Sequence, residues 1–155
     1  MNTTKTPNGI VLGQLVQDRA TGFQGHAIRM TEFLNGVIEV GVVPNVPGAT
    51  QMPHPTNINC KTLRTVNEGI VELGLNPPTG IPIQLGEKVQ DYATGFTGIA
   101  IGRTTELTGQ VQFGVVPPYN PAHRAELDKD VQWLDYSRLH KLDDGIKGAT
   151  SAARQ

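Results

Sequence analysis

Short apolar runs separated by turn signals recur twice along this chain. An apolar-rich run over residues 10–16 leads into the block Asp18-Arg19-Ala20-Thr21-Gly22, and a second over 81–89 leads into Asp91-Tyr92-Ala93-Thr94-Gly95. In each block the Asp is placed to accept hydrogen bonds from amides two or three residues on. The closing residue, Gly22 or Gly95, suits positive φ, so both blocks predict tight turns. Strands are expected next over 23–31 and 96–104, with Gly25 and Gly98 where a bulge or close strand approach fits. Leu34-Asn35-Gly36 and Leu107-Thr108-Gly109 then mark a hairpin. Asn-Gly between strand-like runs is the strongest short hairpin signal, and the second copy keeps only Gly109 against Gly36. Return strands over 37–43 and 110–116 end at Pro44 and Pro117, and long loops follow over 45–57 and 118–130. Loops of that length are usually functional or held by something outside the unit.

The two patterns are one pattern written twice. Residues 12–44 align with 85–117 at a constant offset of 73 without a gap, and 19 of the 33 positions are identical. Such self-similarity implies two copies of one small unit. The expected organisation is a first unit over 1–75, a linker over 76–80 stiffened by Pro77 and Pro78, a second unit over 81–147 and a tail over 148–155. Beyond the loops the copies drift: 58–64 answers 131–139 with a small insertion, read as a strand and then a single turn of helix. Residues 68–73 read as a closing strand, with 143–146 as its vestige. Four or five short strands, a tight hairpin and one long loop predict an all-β fold of two tandem small SH3-like β-barrels, a size at which side chains fill the interior.

Composition agrees with short strands and many turns: 37% hydrophobic residues, 18 Gly and 11 Pro. Units this small bury only about 60% of their unfolded surface and are marginal alone. The net charge is −1, with 5 basic and 5 acidic residues in 1–75 and 8 and 9 in 76–155. No basic stripe marks a nucleic-acid binder, so nucleic acid is an unexpected partner. Cys60 is the sole cysteine, which excludes an intrachain disulfide and argues against a thiolate metal site. No run approaches the ~20 apolar residues of a membrane span, and the first residues lack the apolar core of a signal peptide, so a protein made in a cytosol, with no membrane partner, is expected.

Two resemblances rest on these motifs. The Gly-x-x-Val-x-Asp…Gly-Phe-x-Gly-x-Ala run resembles the opening strand and loop of KOW-type SH3-like barrels. The whole-unit pattern, LGEKVQDYATGFTGIAIGRTTELTGQVQFGVVPP followed by VQWLDYSRL, is similar to a family of small proteins of tailed bacteriophages, most of them uncharacterised. The second unit carries the likeness over nearly its full length. The first carries it through Pro44 and then departs, with Cys60 and Lys61 set against Trp133 and Leu134. The resemblance implies a phage origin and a β-barrel, and it brings no active site.

Chemistry should keep titratable residues in place across copies, yet the retained set is mostly Gly, Ala, Thr, Val, Leu and Pro. Asp18 and Asp91 are retained, and each reads as a turn cap; one carboxylate per unit is not the pair that acid–base hydrolysis needs. His26, His54, His123 and His140 do not repeat and show no ligand spacing. Cys60 reads as a small buried hydrophobe rather than a nucleophile. No catalytic residue, cofactor site or metal site is therefore expected, and the chain is read as a non-enzyme; a small hydrolase would need a cluster assembled by the fold alone. Partner-binding candidates are Tyr119, Arg124, Trp133, Tyr136 and Arg138, because aromatics and Arg dominate interface hot spots. Trp133 reads equally as a plug for the barrel end. Structural turn residues are Asp18, Gly22, Gly25, Gly36, Asp91, Gly95, Gly98 and Gly109.

The leading expectation is a virion structural protein, synthesised in the host cytoplasm. It would be a capsid decoration or cement protein that binds the major capsid protein as a homo-oligomer or multi-copy array. The alternative is an intracellular phage accessory protein that binds a small ligand, RNA or a host protein through a β-barrel face.

Overall fold

A computed structural model describes residues 5–117 and 131–147. It divides into two compact units, one built from residues 5–32, 36–78 and 105–110, the other from 33–35, 79–104, 111–117 and 131–147. The first holds β1 (Leu15–Asp18), most of β2 (Gln24–Phe33), β3 (Ile38–Val43), β4 (Thr56–Asn59) and β5 (Leu63–Asn67). The second holds β6 (Lys88–Asp91), most of β7 (Thr97–Glu106), β8 (Val111–Val116), β9 (Gln132–Asp135) and β10 (Leu139–Asp143).

Within the first unit the strand order is β4-β3-β2-β1-β5, and each of these pairings is antiparallel. The second repeats it as β9-β8-β7-β6-β10. The all-β character matches expectation, but the SH3-like barrels do not: the strands of neither unit close into a barrel. Among the described residues β4 pairs only with β3, and β5 only with β1, so the outer edges stay apart. The reason lies in the connection between them, a 3-10 turn at Cys60–Thr62. Its polar groups are satisfied by the residues that cap it, Asn59 at the end of β4 and Leu63 at the start of β5, and by chain segments elsewhere. The Lys61 amide donates to Asn59 Oδ1 at 3.0 Å, the Arg19 amide to the Thr62 carbonyl at 2.9 Å, and Asn8 Nδ2 to the Cys60 carbonyl at 2.7 Å. The turn Tyr136–Arg138 does the same in the second unit, where the Ser137 amide donates to Asp135 Oδ2 and the Tyr92 amide to the Arg138 carbonyl.

The drifted halves align differently from the sequence expectation. Gly41 faces Asn57 across β3 and β4, as Gly114 faces Trp133 across β8 and β9. Trp133 therefore answers Asn57, and Cys60 answers Tyr136, the first residue of the equivalent turn. The closing strand is Leu63–Asn67, and the segment expected to form it instead makes a 3-10 turn at Val71–Leu73. The hairpin sits where Asn-Gly and Thr-Gly place it. Gly36 and Gly109 take φ of +89° and +87°, while no described non-glycine residue has positive φ. Asn35 thus stays out of the left-handed region that a two-residue type I′ turn demands of it.

Alternation sets the cores. Val16, Ala27, Met30, Val40 and Val42 meet Ile10, Leu12, Cys60 and Leu63 in the first unit. Val89, Ala100, Val111, Phe113 and Val115 meet Ile83 and Leu139 in the second. Leu107 packs on the first core, its amide donating to the Ile28 carbonyl at 2.8 Å. Met30 pairs with Val40 in the first unit; the repeat offset puts Arg103 and Phe113 at those places in the second. The Arg103 guanidinium lies 6.0 Å from the Phe113 ring centre, and its buried Nε has no hydrogen-bond partner among the described residues.

Candidate functional site

The retained carboxylates cap their turns. Asp18 accepts from the Thr21 hydroxyl at 2.7 Å and from the Ala20 amide at 3.3 Å. Asp91 accepts from the Thr94 amide at 3.1 Å and the Thr94 hydroxyl. Both turns end on glycines of positive φ, Gly22 and Gly95. The copies differ in what lies across the next strand. Arg138 grips Asp91 with two bonds, Nε to Oδ1 at 2.9 Å and Nη2 to Oδ2 at 2.8 Å. That pairing, then the Thr94 hydroxyl, holds the Asp91 carboxyl down from 3.8 to about 2. Asp18 is also held below the usual carboxylate range, by the hydroxyls of Thr21 and Thr62.

A depressed carboxylate stabilises the fold above its unfolded pKa and loses that contribution as pH falls through its folded value. The Asp91–Arg138 pair should therefore contribute fully above about pH 4 and fade toward pH 2. Asp91→Asn is expected to be less stable than the native chain at pH 7 and to show a flatter stability slope between those values. Urea midpoints measured across pH 2–7 test this, and parallel slopes for the two proteins would refute it.

A second polar cluster lies within the second unit. Glu87, with its side chain 3% exposed, accepts from Lys147 at 2.8 Å, Lys141 at 3.0 Å and the Gln84 amide at 2.8 Å. Burial pushes its pKa up, but the Lys147, Gln84 and Lys141 hydrogen bonds outweigh that and hold it down. The first unit keeps a neutral version: Gln14 accepts from the Val11 amide and Thr65 hydroxyl and donates to Glu68. The Tyr92 and His140 rings stack at 4.4 Å; in the first unit Arg19, just past β1, and Arg64 of β5 stand at those places.

Of the sequence-derived partner residues, Trp133, Tyr136 and Arg138 fall within the described residues. Trp133 stands on β9, 39% exposed, its indole lying against Gly114 of β8 closely enough that a Cβ there would sit 2.9 Å from it. Tyr136 packs on the second core, and Arg138 is committed to Asp91. Tyr119 and Arg124 lie outside the described residues, as does His123. Cys60 is buried, and burial pushes its thiol pKa up, which suppresses the thiolate. Among the described residues no group of three or more His, Cys, Asp or Glu is placed to hold a metal ion.

Sequence reading missed a cleft in the first unit, lined by Leu12, Val71, Gly74, Leu75, Asn76, Glu106 and Leu107. One signal was present: the repeat places Phe33 opposite Glu106 and an apolar residue opposite Leu12 and Leu107, so a single position changes from apolar to charged.

These features define an all-β tandem-repeat protein whose retained polar residues are structural and whose surfaces differ between copies. Comparison with protein-family models, with curated proteins and with solved structures finds no match.

Proposed function

We propose that the chain is a structural component of a tailed-phage virion, a decoration or cement protein that docks on the major capsid protein. The observation that carries this reading is the open strand order within each unit. Each copy ends in a four-residue strand, β4 or β9, whose outer edge has no strand partner among the described residues, and β9 presents the chain's sole tryptophan. Free strand edges recognise partners by main-chain pairing, and Trp is among the residues enriched at interface hot spots. Two linked modules gain avidity from effective concentration, which suits a protein bound across subunit seams. The likeness of the TGF-x-G core and the QWLDYSRL segment to small tailed-phage proteins supports the same reading.

The test is direct. Mass spectrometry of purified virions from the phage that encodes this chain should find it at many copies per particle. Virions free of the chain would exclude the proposal.

A further inference from the structure

We propose that the cleft of the first unit, about 180 Å³ in volume, seats a basic side chain, lysine or arginine, from the protein partner. This rests on the reading that the chain docks on another protein. A cavity of roughly 150 Å³ holds a molecule as large as benzene, so the volume suits one side chain.

The lining is mixed: apolar side chains stand beside a larger share of polar surface, with one charged residue among it. Leu12 is part of the core, and Leu107 packs against that core. Leu75 forms a wall while remaining 66% exposed, and the neighbouring Leu73 is 65% exposed, so the apolar surface runs out to the rim. The wall is tied to the floor: the Leu75 amide donates to the Leu107 carbonyl at 2.9 Å, and the Gly74 amide to the Val71 carbonyl at 3.0 Å. Glu106 and Asn76 supply the polar end.

Glu106 decides the charge of the occupant. Its Oε1 accepts one bond from Arg29 Nε at 2.8 Å, and Oε2 has no hydrogen-bond partner among the described residues. A carboxylate offers about four acceptor positions, so this single contact leaves room for another donor. A lysine or arginine laid on Leu12, Leu75 and Leu107 would bury its methylene stem and bring its cationic head to Oε2. A neutral apolar side chain would leave Oε2 without a partner, and an anion would find no donor in that oxygen.

The duplication sharpens the assignment. The repeat offset sets Phe33 against Glu106, and Gly86 approaches Lys147 as Gly13 approaches Val71. The second unit thus carries Phe33 and Lys147 where the first has a carboxylate and a valine, a combination unsuited to a cation.

The probe is Nα-acetyl-lysine methylamide, titrated at millimolar concentration into the ¹⁵N-labelled full chain. Saturable shifts of the Leu12, Val71, Leu75 and Leu107 amides are expected. The norleucine counterpart should bind about fivefold more weakly, the worth of one partly exposed ion pair. Glu106→Gln, which keeps an acceptor for Arg29, should erase that difference while its thermal midpoint stays within roughly 2 °C of the native chain. Equal binding of the two probes, shifts centred elsewhere, or no saturable shift would overturn the site. Virion analysis reads the broader proposal separately, so a chain present in virions but silent to the probe loses only the cleft.

Discussion

Gly98→Ala is expected to unfold the second unit under conditions where the native chain is folded. A Cβ at Gly98 would stand 2.1 Å from the Val116 carbonyl oxygen, 2.7 Å from its carbon and 2.8 Å from Val115 Cγ1. These are backbone and core atoms, so no flexible side chain can swing aside. Relief requires β7 to part from β8, and β8 carries Val111, Phe113 and Val115, all at 0% exposure. Opening that ladder releases the core along with the hydrogen bonds, which places the cost at about 4 kcal/mol or more, among the largest for single substitutions. Gly25 repeats the arrangement in the first unit, its Cβ position lying 2.4 Å from the Val43 carbonyl oxygen. Gly41→Ala is the control, because its new methyl meets the Arg29 Cβ at 3.1 Å and Asn57 Oδ1 at 3.4 Å, contacts that a shift of a few tenths of an ångström relieves. It should cost no more than about 1 kcal/mol. Urea titrations followed by the fluorescence of Trp133, which sits in the second unit, read Gly98→Ala directly; amide exchange reads the first-unit pair. Similar losses for Gly98→Ala and Gly41→Ala would show that the close approach is not what the glycine serves.

Phe113→Ala is expected to cost the second unit about 3–5 kcal/mol. Among the described residues Phe113 is the largest of the fully buried side chains, and it stands among Val111, Val115, Val89 and Ala100, none of which can extend to fill its volume. Removing the ring also uncovers the Arg103 guanidinium, whose Nε is already buried without a partner among the described residues. Phe113→Leu should lose about 1.5 kcal/mol or less, because it keeps most of the volume. Trp133 fluorescence again serves as the reporter, since its strand pairs with β8 one residue from Phe113. A loss below 1 kcal/mol for the alanine variant would mean that the site collapses freely and that the ring is not the centre of this core.

Much of the scaffold was legible along the chain. The strands expected over 23–31 and 37–43 form at Gln24–Phe33 and Ile38–Val43, and their copies form one or two residues from the expected limits. Local chemistry explains that success. Turn carboxylates, glycines of positive φ and period-two alternation each act within a few residues, so one stretch of sequence contains the whole cause. The later half of each unit was harder. Residues 68–73 read as a strand because they hold Ile70, Val71 and Leu73, yet the Ile70 amide bonds to the Gly13 carbonyl and the chain coils into a 3-10 turn. Trp133 was set against Cys60 because sequence spacing was the only guide. Strand pairing assigns it to Asn57.

The sequence by itself determined that the protein is two copies of one all-β unit, where each hairpin turns, and that Cys60 is a core residue. Tertiary structure alone decided that the sheets stay open, that Arg138 serves Asp91 from 47 residues away, and that Glu106 meets Arg29 across 77. The division has one physical cause. Periodicity and turn propensity are local, whereas sheet closure, ion pairing and clefts depend on which distant backbone groups find partners first. In this chain the turns at Cys60–Thr62 and Tyr136–Arg138 are held partly by their own caps and partly by the distant Asn8, Arg19 and Tyr92, and the outer edges of β4 and β9 stay free of strand partners among the described residues.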